Sequence, residues 1–368
     1  MKKKSALIAL LLIIIPIFSL SAANILVPSL ELVTYGYLQN SAFNLRTRGD
    51  IDFKIEGGYK FGGSIMLGFQ SNNLEDLTEN TDTLTFRSTS VVIRELFELP
   101  INVTYFSGIM DTFGNGQVFR DFFGVEPFSS KYKGYVYFPN GVVYDGIHTI
   151  QGTGFLVETA SLWDSLVLSL YLYQDGYLGQ GKYSIDARSL LNYPNFKMEA
   201  FLGTTLGATS LGLYRGGVLL YFKAGETGEF LTQVGIPRWD PAEAFNISLF
   251  YFLFEPRVNF GNFSIIMTLF WHPQYYLQAE TEEVGSIDIN VDFRFGDPNV
   301  NRSTGGIENN LVFSTAVNPG EGQFKATFSP YLSVVTSGVI WDFKVKVKAF
   351  PFSLTDLVET FIGVRAEF

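Results

Sequence analysis

Lys344, Lys346 and Lys348 recur at every second position near the end of the chain, and Arg365 and Glu367 repeat that spacing a little further on. Acidic counterparts stand elsewhere: Asp50, Asp52 and Glu56 early in the chain, and Asp288 and Asp292, with the basic Arg294 on the same face, in its last third. Side chains two apart share one face of an extended strand, so each run is a ladder of charge on a single face. Opposed basic and acidic ladders set a transverse field that orients and sorts charged solutes between them. The same residues serve equally well as paired wall groups that do no more than solvate a wet surface.

Other chemistry is poorly supplied. The chain has no cysteine, which removes disulfides, thiolate nucleophiles and cysteine-ligated metal sites. Its two histidines, His148 and His272, stand in no nucleophile motif, and GATSLG (Gly207 to Gly212) is not the G-x-S-x-G elbow. The glycine pairs Gly216-Gly217 and Gly305-Gly306 lack the strand-to-helix context of a phosphate loop. No enzymatic activity, cofactor or metal is expected.

The elements that must carry the ladders are strands. In GDIDFKIEGGYKF, Ile51, Phe53, Ile55, Tyr59 and Phe61 alternate with Asp50, Asp52, Lys54, Glu56 and Lys60. SIDINVDFRF and WDFKVKVKAF repeat the pattern, and fourteen further turn-bounded segments are rich in β-branched and aromatic residues. With the C-terminal FIGVRAEF these make eighteen candidate strands. Short runs are easily over-split and membrane barrels favour even numbers, so about 16 strands are expected, within a range of about 12 to 18. Helices longer than two turns, domain boundaries and fixed-period repeats are not evident.

Composition selects the surroundings of this sheet. Charged residues make up 17% of the chain against 47% apolar and 16% aromatic. That charge is thin cover for the outside of a soluble protein, where about 25% is usual. At the N-terminus, Lys2, Lys3 and Lys4 precede an apolar run from Ala6 to Phe18 and the small residues Ser21 and Ala23. The run is too short for the ~20 residues of a spanning helix and reads as a cleavable export signal over 1–23, leaving a barrel domain over 24–368. The net charge of −10 becomes more negative once those lysines leave, which excludes nucleic-acid binding. The remaining chain has no apolar stretch long enough to span as a helix. A closed antiparallel sheet with apolar residues facing lipid and polar residues facing a lumen satisfies both the alternation and the backbone.

The last strand carries a resemblance. Ile362, Val364, Ala366 and the terminal Phe368 alternate on one face, which resembles the assembly signal of bacterial outer-membrane β-barrel proteins. The resemblance implies an all-β, transmembrane, up-and-down antiparallel barrel in the outer membrane of a bacterium with two membranes. It also implies outer-membrane lipids, periplasmic chaperones and the barrel-assembly machinery as partners, and a last strand paired with the first near Leu30 to Gln39. It does not specify the member or the oligomeric state.

A porin-like channel for small hydrophilic solutes or ions is the leading expectation, since about 16 strands leave an aqueous lumen. The long segment Asp111 to Gly146 could fold inward as a constriction bearing Arg120, Asp121, Glu126, Lys131 and Lys133, or contain a further hairpin around Tyr135 to Tyr144. General porins narrow their pores with a loop carrying Pro-Glu-Phe-Gly-Gly; Phe123-Gly124-Val125-Glu126-Pro127 does not match it. Two alternatives stand beside the channel. One is a hydrophobic-compound transporter resembling the long-chain fatty-acid family, although the N-terminal Asn-Pro-Ala plug motif is missing. The other is a surface adhesin using loops such as Asn72 to Asp82 and Asp297 to Asn309.

Overall fold

The computed structural model describes residues 23–39, 42–71, 83–114, 146–159, 165–276, 285–296, 302–314, 324–354 and 357–366. The export signal, except Ala23, lies outside the described residues, as do Arg120, Asp121, Glu126, Lys131, Lys133, Glu367 and Phe368.

Eighteen strands follow one another around a single sheet. They are β1 (Ala23–Gln39), β2 (Ala42–Gly57), β3 (Phe61–Ser71), β4 (Thr83–Ile93), β5 (Ile101–Phe113), β6 (His148–Thr159), β7 (Leu166–Asp175), β8 (Tyr183–Tyr193) and β9 (Phe196–Leu206). The second half is β10 (Leu213–Ala224), β11 (Gly228–Trp239), β12 (Tyr251–Phe260), β13 (Phe263–Trp271), β14 (Ile287–Phe295), β15 (Ser303–Phe313), β16 (Phe324–Thr336), β17 (Val339–Phe350) and β18 (Val358–Ala366). Each of the eighteen alternating segments corresponds to one strand. The count stands at the upper end of the expected range rather than at sixteen, because none of those runs had been over-split. The helical content among the described residues is two 3-10 turns, Leu96–Glu98 and Ile247–Leu249.

Every strand is antiparallel to its neighbours, and the sheet closes on itself. β1 pairs with β18 from Leu30↔Ala366 to Tyr37↔Glu359, the seam expected from the last strand. Closure leaves no edge, so every strand has two partners for its N–H and C=O groups. The longest connections, 114–147, 240–250 and 272–286, all leave from one rim. The opposite rim carries both ends of the sheet and the short turns at 58–60, 194–195, 225–227, 261–262 and 337–338.

Polarity runs inside out. Along β17, Trp341, Phe343 and Val345 are exposed on the outer face while Asp342, Lys344 and Lys346 are buried on the inner one. In β14, Phe293 and Phe295 point out, and Asp288, Asn290, Asp292 and Arg294 point in. Outward rings gather near both rims. Phe313, Phe324 and Phe350 contact in series at the long-loop rim, and Phe260, Phe263 and Phe295 do so at the short-turn rim. An apolar band between two aromatic girdles, around a charged interior, is the arrangement that hydrocarbon surroundings select.

Several aromatics that lie near strand ends in the sequence, where interfacial girdles form, face inward instead. Tyr171 and Tyr173 share a face with Ser169 and Asp175 of β7 and are buried, and Tyr221 donates to Glu229 at 2.6 Å. Nearness to a strand end does not fix which side a ring takes; its parity within the strand does.

Candidate functional site in the barrel lumen

Among the described residues the expected ladders face the barrel interior, and the structure supplies partners that the sequence reading had not assigned. Lys344 donates to Glu308 of β15 at 2.6 Å. Lys346 and Lys348 lie 3.5 and 2.8 Å from Glu359 of β18. Arg365 grips Asp342 with Nε and Nη2 at 3.0 and 2.9 Å. Asp292 is held by Arg294 at 3.0 Å and by the Tyr331 hydroxyl at 2.9 Å. His272 Nε2 lies 3.1 Å from Asp288. Lys344 thus reaches across β16 to β15, while Lys346 and Lys348 share one carboxylate on the neighbouring β18.

Two of the strongest pairs reach across an intervening strand. In each, an acid on one strand and an arginine two strands on meet over a glycine between them. Asp52 of β2 stands beside Gly68 of β3, and Arg87 of β4 lies over that glycine to reach Asp52 at 2.7 Å and Asp50 at 3.1 Å. A Cβ on Gly68 would overlap the Arg87 side chain. Likewise Asp186 of β8, Gly203 of β9 and Arg215 of β10 stand in register, and Arg215 Nε donates to Asp186 Oδ1 at 2.7 Å. A Cβ at Gly203 would occupy the position of that carboxylate. Arg87 keeps the phase of Thr83 and Thr85, opposite the outward Leu84 and Phe86, and the β3–β4 register shift between Met66 and Leu67 then brings Ser88 onto the same inner face; a bulge shifts the phase of a strand in this way. Arg87 was missed in the sequence because it is the one charge of TLTFRSTSVVI and forms no ladder.

The rim ends of β5 and β6 turn inward over the wall formed by β7 to β11. Arg188 of β8 is bonded to Asp111 of β5 and, through Nε at 2.7 Å, to Glu199 of β9. The Gly114 amide donates to Glu199 Oε2 at 2.5 Å. Phe113 packs on Phe201 with centroids 4.5 Å apart. Ile147, at the start of the returning strand, sits against the Gly217–Gly235 pair of β10 and β11, where added Cβ atoms would meet its Cδ1. A β5–β6 unit whose ladder partners are β4 and β7 thus contacts β8, β9, β10 and β11, which requires it to lean across the interior. The expected segment 111–146 is rooted in these contacts, and its residues 115–145 lie outside the described ones. His148 joins the cluster, 3.2 Å from the Tyr173 hydroxyl, which donates to Asp186 at 2.9 Å. It is walled in rather than open to a substrate.

Solvent reaches these groups unequally. The side chains of Asp111, Asp186, Arg188 and Arg215 are 0% exposed. On β2 and β4, by contrast, Arg48, Lys54 and Glu56 are 37–38% exposed and Arg87 33%. The charged face open to water runs along β2 to β4, opposite the packed wall.

A closed 18-stranded antiparallel barrel with an apolar exterior, a charged interior and an inward-leaning β5–β6 unit has the architecture of the bacterial porins. The comparisons with solved structures agree. The chain resembles OccAB3 of Acinetobacter baumannii (TM-score 0.55, 9% identity, 94% of this chain and 99% of that one). It resembles OccAB2 of the same organism to a like degree (TM-score 0.54, 12% identity, 94% and 98%). It also resembles a variant of the Rh. blastica porin (TM-score 0.50, 9% identity, 94% and 100%). At these identities the likeness is one of fold. No protein-family model matches the chain, and no curated protein matches it in sequence.

Proposed function

We propose that the protein is an outer-membrane channel for passive diffusion of small hydrophilic solutes or ions, with its water path along the charged inner face of β2 to β4. The observation that carries this reading is the contrast between the half-exposed Arg48, Lys54, Glu56 and Arg87 and the fully enclosed charges under the β5–β6 root. A barrel of this size leaves an aqueous lumen unless something fills it, and here the packing lies to one side. The porin architecture and the outward girdles support placement in an outer membrane.

Within that path Arg87 is the key charge. It bridges Asp50 and Asp52, both less exposed than itself, and together with Arg48 beside Asp50 offsets their charge along the path. Planar-bilayer recording of the refolded protein across a salt gradient tests the proposal. Discrete ohmic steps are expected, and Arg87→Gln is expected to move the reversal potential towards cation preference by unmasking two carboxylates. Lys344→Gln, at a side chain buried against Glu308 on β15, is expected to move it less. A folded barrel without conductance would overturn the channel, and equal shifts in both variants would overturn the path.

A further inference from the structure

We infer that the outer wall from β7 to β11 binds one acyl chain of a membrane lipid in a dedicated groove. A cavity of about 870 Å³ opens on the outward face there. Its floor is made by small outward residues on successive strands, Ala187, Ala200 and Gly216, between the exposed flanks Leu168, Leu202 and Val218. The barrel exterior elsewhere carries a large side chain at most such positions, so the floor is a local recess in the sheet surface.

The course of the recess identifies its occupant. It begins at the long-loop rim, where Tyr214 and Trp239 are register partners. It then descends by register, from Gly216 beside Leu202 to Ala187, and from Ala200 beside Ser189 to Leu168 near the far end of β7. That path runs from the aromatic girdle into the apolar band, as an acyl chain does from its headgroup. The 240–250 connection roofs the upper end with Phe245 and Phe250, edge-on to each other at 5.7 Å, and Phe245 is likewise edge-on to Trp239.

In hydrocarbon, apolar burial is no driving force, because lipid tails are as apolar as the protein face; packing decides. A recess left empty forfeits dispersion contacts on one side, and a flexible chain fills a curved groove that a rigid ridge would not match. The inference rests on the membrane embedding of the proposed function but not on conduction.

The test is native mass spectrometry of the barrel refolded with dipalmitoyl phosphatidylcholine in mixed micelles. The unaltered protein is expected to retain one lipid after the detergent is stripped. Ala187→Phe and Ala200→Phe, which fill the groove from outside, should lose it, and Val345→Phe on the outer face of β17 should keep it. Leu202→Ala removes an exposed flank of the groove without filling its floor. It should lower retention of the lipid, and this comparison stands even if a floor variant misfolds. No lipid on the unaltered protein, equal retention in the groove variants, or a second barrel retained in place of lipid would each overturn the inference. Conductance measured on the same preparations separates its failure from failure of the channel reading.

Discussion

Arg188 shows how much of the interior hangs on single side chains. Its guanidinium bridges Asp111 and Glu199, all three enclosed, so removing it leaves two carboxylates facing each other without a cation. Breaking a buried pair from one side costs about 3–5 kcal/mol, whereas replacing all its members together costs little. Arg188→Met should therefore lower the urea midpoint of the heat-modifiable folded band, and adding Asp111→Asn and Glu199→Gln should restore most of the loss. If the triple variant is no better than the single one, the ion pair is not the source of the defect. Gly203 belongs to the same scale: its missing Cβ is what lets Arg215 meet Asp186 across β9. Asp186 and Arg188 were missed as site residues in the sequence: their two-apart spacing puts them on one face of a strand, but the partner of each depends on the stagger of neighbouring strands.

At the scale of elements, the rim ends of β5 and β6 lean inward against β8 to β11. Phe113 and Ile147 fix this lean, the first against Phe201 and the second on the flat glycine pair Gly217–Gly235. Phe113→Ala should cost about 3–5 kcal/mol for a fully buried ring. It should also raise single-channel conductance as the root loosens from the wall. A stability loss with unchanged conductance would mean that the lean does not restrict the path. Sequence length alone marked the 111–146 connection as unusual. Its direction could not be read there, because the anchors, Glu199, Phe201, Gly217 and Gly235, belong to strands distant in the chain and carry no pattern that points to it.

The whole molecule depends on closure. β18 completes the ring by pairing with both β17 and β1, so a chain ending before Val358 would expose two unpaired edges. Unpaired backbone groups are not tolerated in hydrocarbon. That truncation should yield no heat-modifiable band on refolding into micelles. Val345→Arg places a charge on the outer band and should destabilise the folded barrel by about 2–4 kcal/mol if that face meets the bilayer midplane. A neutral effect would contradict the inside-out polarity.

The sequence by itself determined the strands, their number to within the expected range, the face that the strictly alternating residues take and the seam between first and last. Those properties follow from period-two alternation, which is local and survives any arrangement of the strands. Only the tertiary structure decided which charges pair, that one wall is packed while the other stays wet, and that the outer surface carries a recess. These arise from register, bulges and ring closure, which bring together residues from strands far apart in the chain. No alternation within a single strand encodes such distances.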